Sequence, residues 1–324
     1  MAIRSIGPWA LAGLMINSVI ASGIFGVPGE LLRLLGSMSP WAFLLGALAS
    51  APIVACYVEV AAQFSASGGP YLYCRSTFGR LAGIAAAWFT VLTPLAAAAA
   101  QANLFVNYLA TFDESLGRGA ARAAVMCLLI GLVTGVNFSG AAGGKRLSGV
   151  LVVAKLLPLV ALICAGLWLM PSAPGLAIAA PATSGAWFTA VLLGIYGYGG
   201  FEDVLAATGE VRRPGRSVAF ALITSLVIST IVYVLLQWVS SRFLDPATVG
   251  RRSLAALAVV LFGARGAALI SVAAMASTAG AISATVLAIP RLLAAMGQQG
   301  DLPAALARAR TFCTACITSS GRFR

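Results

Sequence analysis

The sequence has no histidine and few charged residues of either sign. Nine of its 324 residues are acidic and 21 are lysine or arginine, so charged residues make up 9% of the protein. Soluble domains usually carry about 25% charged residues. Without histidine, histidine-based acid–base catalysis and histidine-ligated metal sites are excluded, and no nucleophile–base pair stands out. An enzyme is therefore the least favoured class of function.

What is abundant is apolar residues, which form 60% of the sequence and give it a mean hydropathy of +0.96. Several uncharged runs exceed the ~20 residues that an α-helix needs to cross a bilayer. These features predict an all-α integral membrane protein.

Of the six cysteines, Cys313 and Cys316 have the spacing of a redox or metal pair, but no second pair accompanies them. We predict no cofactor and no metal.

The apolar runs predict eight membrane spans. Their approximate ranges are 6–35, 40–64, 81–112, 123–139, 147–170, 185–208, 217–241 and 266–290. The apolar run 254–264 is too short to cross a bilayer and predicts an interfacial helix. We divide the protein into a transmembrane domain, residues 1–303, and an atypical tail, residues 304–324.

The distribution of basic residues predicts the orientation in the membrane. An even number of spans places both termini on one side. Most arginine and lysine residues of the connecting loops lie on that same side, and basic loops are generally cytoplasmic. The prediction is a multi-pass protein of the cell (inner) membrane with both termini in the cytoplasm.

Two of the predicted spans, the first and the sixth, contain helix-breaking residues in the middle. The first break is at Ser22-Gly23, and the second runs through Tyr196-Gly197-Tyr198-Gly199-Gly200. Unpaired backbone is costly in hydrocarbon and survives only where protein or a ligand cavity surrounds it. Interrupted spans at matching positions, five spans apart, indicate the binding site of a transporter built from inverted repeats.

The chemistry of a broken helix suggests a ligand. The free N–H groups at a half-helix N-terminus attract an anion, and freed carbonyl groups attract a cation. A zwitterion with one carboxylate and one ammonium group suits both, so a free amino acid is the first candidate. Close helix packing by glycine is the alternative explanation, but it does not account for two breaks at matching positions.

Five segments, in sequence order, carry a resemblance to a known family. They are Ala21-Ser22-Gly23-Ile24-Phe25, Tyr57-Val58-Glu59-Val60-Ala61 with Ser67-Gly68-Gly69-Pro70-Tyr71, Tyr196-Gly197-Tyr198-Gly199-Gly200-Phe201-Glu202, Gly209-Glu210-Val211-Arg212-Arg213-Pro214 and Ala288-Ile289-Pro290-Arg291-Leu292. Together they resemble the amino acid–polyamine–organocation (APC) superfamily of permeases. That resemblance implies the LeuT-type fold, a 5+5 inverted-repeat bundle with discontinuous helices 1 and 6.

The resemblance also implies roles for individual residues. Backbone N–H groups around Ser22, Gly23 and Ile24 would bind the substrate carboxylate. Carbonyl groups near Ile20 and at Tyr198 and Gly199, next to Gly200, would bind the ammonium. Tyr196 and Tyr198 would form aromatic walls or gates, and Glu202 would be a polar gating residue.

Lys155 lies in the middle of the fifth span, where a lysine is costly and indicates function. Burial disfavours its charged form, so such a group can bind and release a proton during transport. In proton-coupled members of the superfamily, a helix-five lysine takes the place of a sodium ion. The alternative is that Lys155 extends along the helix toward the cytoplasmic interface near Lys145.

The number of spans bears on the predicted function. The sequence shows about eight of the usual twelve transmembrane helices, so we expect an incomplete second repeat and a truncation at the C-terminal end. Proton-coupled symport or amino acid exchange by alternating access is the first hypothesis. The alternatives are a transport-incompetent remnant or a membrane binding subunit and, less favoured, an ion channel. The expected partners are an amino acid, protons and membrane lipids, with no nucleic acid.

Overall fold

The computed structural model describes residues 7–21, 23–63, 69–138, 144–170, 183–205, 214–246 and 253–302, and within them the protein is almost entirely helical, without strands. The α-helices are α1 Pro8–Val19, α2 Gly23–Leu35, α3 Ser39–Gln63, α4 Gly69–Phe78, α5 Arg80–Leu109, α6 Gly119–Phe138, α7 Gly144–Leu169, α8 Ser184–Tyr198, α9 Phe201–Leu205, α10 Pro214–Phe243 and α11 Ser253–Gln298. Short 3₁₀ turns precede α3 and α6. The predicted all-α class is confirmed.

Five apolar segments in the described residues are long enough to cross a membrane. They are Gly23–Val60, Arg80–Leu109, Gly119–Asn137, Gly215–Phe243 and Ser253–Pro290. Two shorter apolar helices accompany them, Pro8–Val19 and Lys155–Leu169. The predicted first and sixth spans are each divided into two helices, because each is interrupted at its glycines. The multi-pass membrane architecture is confirmed.

The helices pack in two groups. In the first, α10 packs along α1 and α3, and α8 packs against α2 and α3. In the second, α5 packs along α11 and α4, and α6 packs against both α5 and α11. Helix α7 contacts α10 and α1 of the first group and α11 of the second. The main hydrophobic core includes both broken helices, so the breaks lie inside protein.

Asp301, just after α11, ties together one end of the second group. Its buried carboxylate accepts hydrogen bonds from the guanidinium groups of Arg75 and Arg80 and, at 2.6 Å, from the Tyr71 hydroxyl. Arg80 also donates to the Gly300 carbonyl at 3.1 Å. Burial raises the pKa of the Tyr71 phenol, opposed by the two nearby guanidinium groups. The phenol therefore stays a hydrogen-bond donor at neutral pH. These contacts attach α4 and α5 to the end of α11.

Residues 254–264, predicted as an interfacial helix, form the first part of α11. Gly263 has φ 71° and ψ −167°, so it separates this part from the long remainder of the helix. Leu254, Leu257 and Ala258 are fully buried and belong to the main core. The segment therefore packs on other helices through one face. The hydropathy pattern showed that the segment was too short to cross, but it did not show this packing.

Glycines allow the first group to pack at backbone contact. A Cβ atom on Gly46 in α3 would lie 2.9 Å from the Cα of Gly194 in α8, and one on Gly194 would lie 2.7 Å from the Ala42 carbonyl oxygen. Both distances are shorter than any ordinary carbon contact. Gly131 and Gly135 in α6 have a spacing typical of close helix packing, but no atom of the described residues lies within 4 Å of such a Cβ.

We expect Gly46→Ala to destabilise the protein and Gly131→Ala to have little effect. The new methyl group at position 46 meets rigid backbone, and overpacking of this kind costs about 1–3 kcal/mol. The measurement is the midpoint of thermal unfolding of each purified variant in detergent. Equal midpoints for the two variants would show that α3 and α8 do not pack as described.

Candidate functional site

Both predicted breaks are present as interruptions between two helices. Helix α1 ends at Val19 and α2 begins at Gly23, and α8 ends at Tyr198 and α9 begins at Phe201. At the second break Gly200 has φ +105°, a backbone conformation that residues with a side chain rarely adopt. Ser22, predicted to bind the substrate carboxylate, lies outside the described residues.

The two breaks contact each other directly. The Ser18 hydroxyl at the end of α1 donates a hydrogen bond of 2.6 Å to the Gly200 carbonyl beside α9. A Cβ on Gly200 would lie 2.9 Å from the Ser18 carbonyl oxygen, and a Cβ on Gly23 would lie 2.9 Å from the Cα of Gly197. The end of α1 thus meets the start of α9, and the start of α2 meets the end of α8. This reciprocal arrangement is what two inverted repeats produce.

Carbonyl groups cluster at the ends of α1 and α8. The Val19 and Gly197 carbonyl oxygens lie 2.8 and 3.0 Å from the Tyr233 hydroxyl, so one tyrosine of α10 contacts both breaks. The Ser277 hydroxyl, from α11, donates to the Ala21 carbonyl at 3.3 Å. A group of carbonyl oxygens freed from helical pairing is a favourable environment for a cation or an ammonium group.

The start of α2 has the opposite polarity. The first N–H groups of a helix, here from Gly23 onward, have no partner within the helix and carry a partial positive charge. At the second break, the N–H group of Gly200 before α9 already has a partner, because the Glu202 carboxylate accepts a 2.9 Å hydrogen bond from it. The start of α2 is therefore the better place for an external carboxylate.

The other predicted site residues lie around this junction. Ile20 and Ile24 are fully buried, and the role predicted for each is that of a backbone group. The Gly199 N–H bonds to the Tyr196 carbonyl at 3.2 Å. Tyr198 is 1% exposed and donates to the Phe43 carbonyl at 3.0 Å, whereas Tyr196 is 43% exposed. The two tyrosines thus occupy different environments, and their role as walls or gates stays a prediction.

Sequence reasoning missed three side chains that join the breaks to the bundle. Ser18, Tyr233 and Ser277 all bond to backbone carbonyls of the breaks. The role of Tyr233 could have been predicted, because a hydroxyl group in the middle of an apolar span needs a buried hydrogen-bond partner. The roles of Ser18 and Ser277 could not have been predicted, because serines are common in membrane helices.

Lys155 in α7 points at the first break. It is 8% exposed, and its Nζ donates a 2.8 Å hydrogen bond to the Asn17 carbonyl of α1. This contact differs from the alternative in which the side chain extends toward Lys145. Lys155 therefore places an amine beside the backbone of α1, within one helical turn of the carbonyl cluster.

Comparison with known proteins agrees with this geometry. A family model described as amino acid permease matches residues 6–315. The chain belongs to this family. Among curated relatives, the permease is 26% identical to the serine/threonine exchanger SteT of Bacillus subtilis, over 93% of this chain and 69% of that protein. It is 29% identical to the large neutral amino acids transporter small subunit 2 of Oryctolagus cuniculus, over 94% of this chain and 59% of that protein.

A further relative is the inner membrane transport protein YbaT of Escherichia coli, which is 26% identical over 93% of this chain and 71% of that protein. The permease thus spans between about three fifths and seven tenths of the relatives named here. These relatives are transporters, so the exclusion of an enzyme is confirmed. Membership in the family supports amino acid transport in general.

We expect Tyr233→Phe to weaken the junction of the two breaks. The substitution removes one hydroxyl that serves two buried carbonyls, and unsatisfied buried groups cost about 1–3 kcal/mol. The measurement is the thermal unfolding midpoint in detergent. Tyr196→Phe is the matched control, since Tyr196 is 43% exposed. An unchanged midpoint for Tyr233→Phe would contradict the bridging role.

Proposed function

We propose that this permease binds a free amino acid at the junction of the two breaks and carries it across the cell membrane by alternating access. The observation that carries the proposal is the reciprocal backbone contact of Ser18 with Gly200 and of Gly23 with Gly197. Two interrupted helices in direct contact bring a half-helix N-terminus and freed carbonyl groups to one place. Arg75 in the last turn of α4 and Arg80 at the start of α5 place positive charge at one side of the bundle. Basic residues are generally cytoplasmic, which supports an orientation with both termini in the cytoplasm.

In this proposal the two ends of the substrate bind to different backbone groups. The carboxylate accepts hydrogen bonds from the N–H groups of Gly23 and Ile24 at the start of α2, and Ser22, which precedes them in the sequence, stays a predicted ligand. The ammonium donates to carbonyl groups at the ends of α1 and α8, close to Ile20 and Gly199. Backbone recognition of this kind is independent of the substrate side chain.

The relatives support the substrate class at a coarse level. One is named for serine and threonine and another for large neutral amino acids. Both names describe amino acids without a charged side chain. We therefore propose a neutral amino acid as the substrate of this permease, moved by symport with protons or by exchange.

Transport by the 324-residue protein is tested by uptake of labelled serine, threonine and leucine into proteoliposomes. We expect saturable uptake that unlabelled substrate inhibits. A Gly200→Leu variant is the negative control, because its side chain would enter the space held by the Ser18 carbonyl. A Glu114→Cys variant, made in a protein whose native cysteines are replaced by serine and labelled with an impermeant thiol reagent, reports orientation. Binding without uptake would favour the alternative of a membrane binding subunit.

We propose further that Lys155 couples transport to protons. In the protonated form its ammonium donates to the Asn17 carbonyl and holds α1 against α7. Loss of the proton removes a charge from beside the carbonyl cluster and weakens that bond. A change in the protonation of Lys155 would therefore change both the position of α1 and the affinity for an ammonium group nearby.

We expect Lys155→Ala to abolish accumulation of substrate driven by a pH gradient, because no titratable group then remains at the Asn17 carbonyl. Lys145→Ala, ten residues earlier in the sequence, is the control and should keep gradient-driven uptake. The measurement is uptake at several external pH values. Persistent accumulation with an unchanged pH dependence in Lys155→Ala would rule out the coupling role.

A further inference from the structure

A groove between α7 and α11 has no part in the roles assigned above. It encloses about 360 Å³, which is within the range of ~300–1,000 Å³ typical of ligand pockets. Every residue that lines it is apolar except one arginine. The lining includes Pro158 and Ala161 from α7 and Phe262, Arg265, Leu269 and Ile270 from α11.

The groove opens toward the membrane. Ile270 is buried, whereas Phe262 and Leu269 on the same helix are exposed, so one side of the groove lies at the surface of the bundle. Leu157 and Val160 of α7 are exposed as well. Exposed apolar side chains of membrane helices face lipid tails, which are equally apolar. A molecule that fills this groove would therefore enter it from the lipid.

Arg265 lies at the level of the lipid head groups. Ser277, later in the same helix, bonds to the Ala21 carbonyl at the first break, in the middle of the first span. At 1.5 Å per residue, ~18 Å of helix separates Arg265 from Ser277. Half of the hydrocarbon core of a bilayer is ~15 Å thick. The groove therefore has its charged residue at the membrane surface and its apolar residues within the hydrocarbon.

The charge of Arg265 is not neutralised by the protein. The side chain is exposed, and no residue that the structure describes forms an ion pair or a hydrogen bond with it. A guanidinium group can bind a phosphate through two parallel hydrogen bonds. Basic pockets between transmembrane helices bind anionic lipid head groups in the same way.

The size of the groove favours a lipid chain over a protein helix. An α-helix is ~10 Å wide, so a volume of about 360 Å³ would hold less than one helical turn. An acyl chain is much narrower and can lie along the groove. Its polar head group would then be at the end where Arg265 lies.

We propose that an anionic phospholipid binds in this groove, with its phosphate on Arg265 and one acyl chain between α7 and α11. Lys155 of α7 and Ser277 of α11 both bond to backbone carbonyls around the first break. The lipid thus holds together two helices that stabilise this break. The inference needs only the membrane architecture, so it does not depend on the proposed amino acid site.

The test counts lipids bound to the purified 324-residue protein by native mass spectrometry, with phosphatidylglycerol added to the detergent. We expect one phosphatidylglycerol to be retained per protein, and Arg265→Gln to weaken its binding by roughly tenfold. Arg242→Gln is the matched control, because Arg242 is an exposed arginine in the last turn of α10, outside the groove. It should bind phosphatidylglycerol as the wild-type protein does.

A second variant tests the apolar part of the groove. Ala161→Phe places a ring where the acyl chain would lie, so it should also weaken binding, with an unchanged unfolding midpoint in lipid-free detergent. Glycerol phosphate, which carries the phosphate without acyl chains, should not compete.

Three results would overturn the proposal. The first is undiminished phosphatidylglycerol binding in Arg265→Gln, which alters an exposed side chain and should fold even if Ala161→Phe does not. The second is equal retention of phosphatidylcholine with the same chains, or competition by glycerol phosphate. The third is a dimer in the wild-type spectrum that Ala161→Phe dissociates, since a second copy would then occupy the groove.

Discussion

Backbone contact between two interrupted helices is the constraint on which the rest of this structure depends. Gly23 meets Gly197 and Gly200 meets Ser18 at distances that leave no space for a Cβ atom. Such contact is possible only where glycine occupies the break, and unwound backbone in a membrane is possible only where protein encloses it. The other helices supply that enclosure, which explains why both breaks belong to the main core.

The side chains that stabilise the breaks come from three different helices. Lys155 of α7, Tyr233 of α10 and Ser277 of α11 each bond to a carbonyl at the end of α1 or α8. In the proposed site an ammonium group would interact with the same carbonyl region. Substrate and protein donors would then compete for these oxygens, and in the proposed function this competition would let the substrate weaken the contacts between the helices around it.

Much of the site could be predicted from the sequence, and the limits are physical. The breaks at Ser22-Gly23 and Gly199-Gly200 were predictable because glycine weakens a helix, and unpaired backbone groups are costly inside a membrane. Lys155 was predictable because a charge in hydrocarbon is costly. Ser18 and Ser277 were not, because a serine can bond to its own helix. The different exposure of Tyr196 and Tyr198 depends on the direction in which each side chain points. Their spacing of two residues in the sequence does not determine which of them points into the core.

By itself, the sequence determined the all-helical membrane architecture, the two breaks and the family, because hydropathy, helix-breaking residues and motif order can be read along the sequence. Only the tertiary structure decided that the breaks touch, that Lys155 bonds to the Asn17 carbonyl, and that the Tyr108 hydroxyl bonds to the Phe25 carbonyl. These facts join residues far apart in the sequence. These contacts depend on how each helix is rotated about its axis and on how far it is shifted along that axis. Both result from packing among all the helices at once.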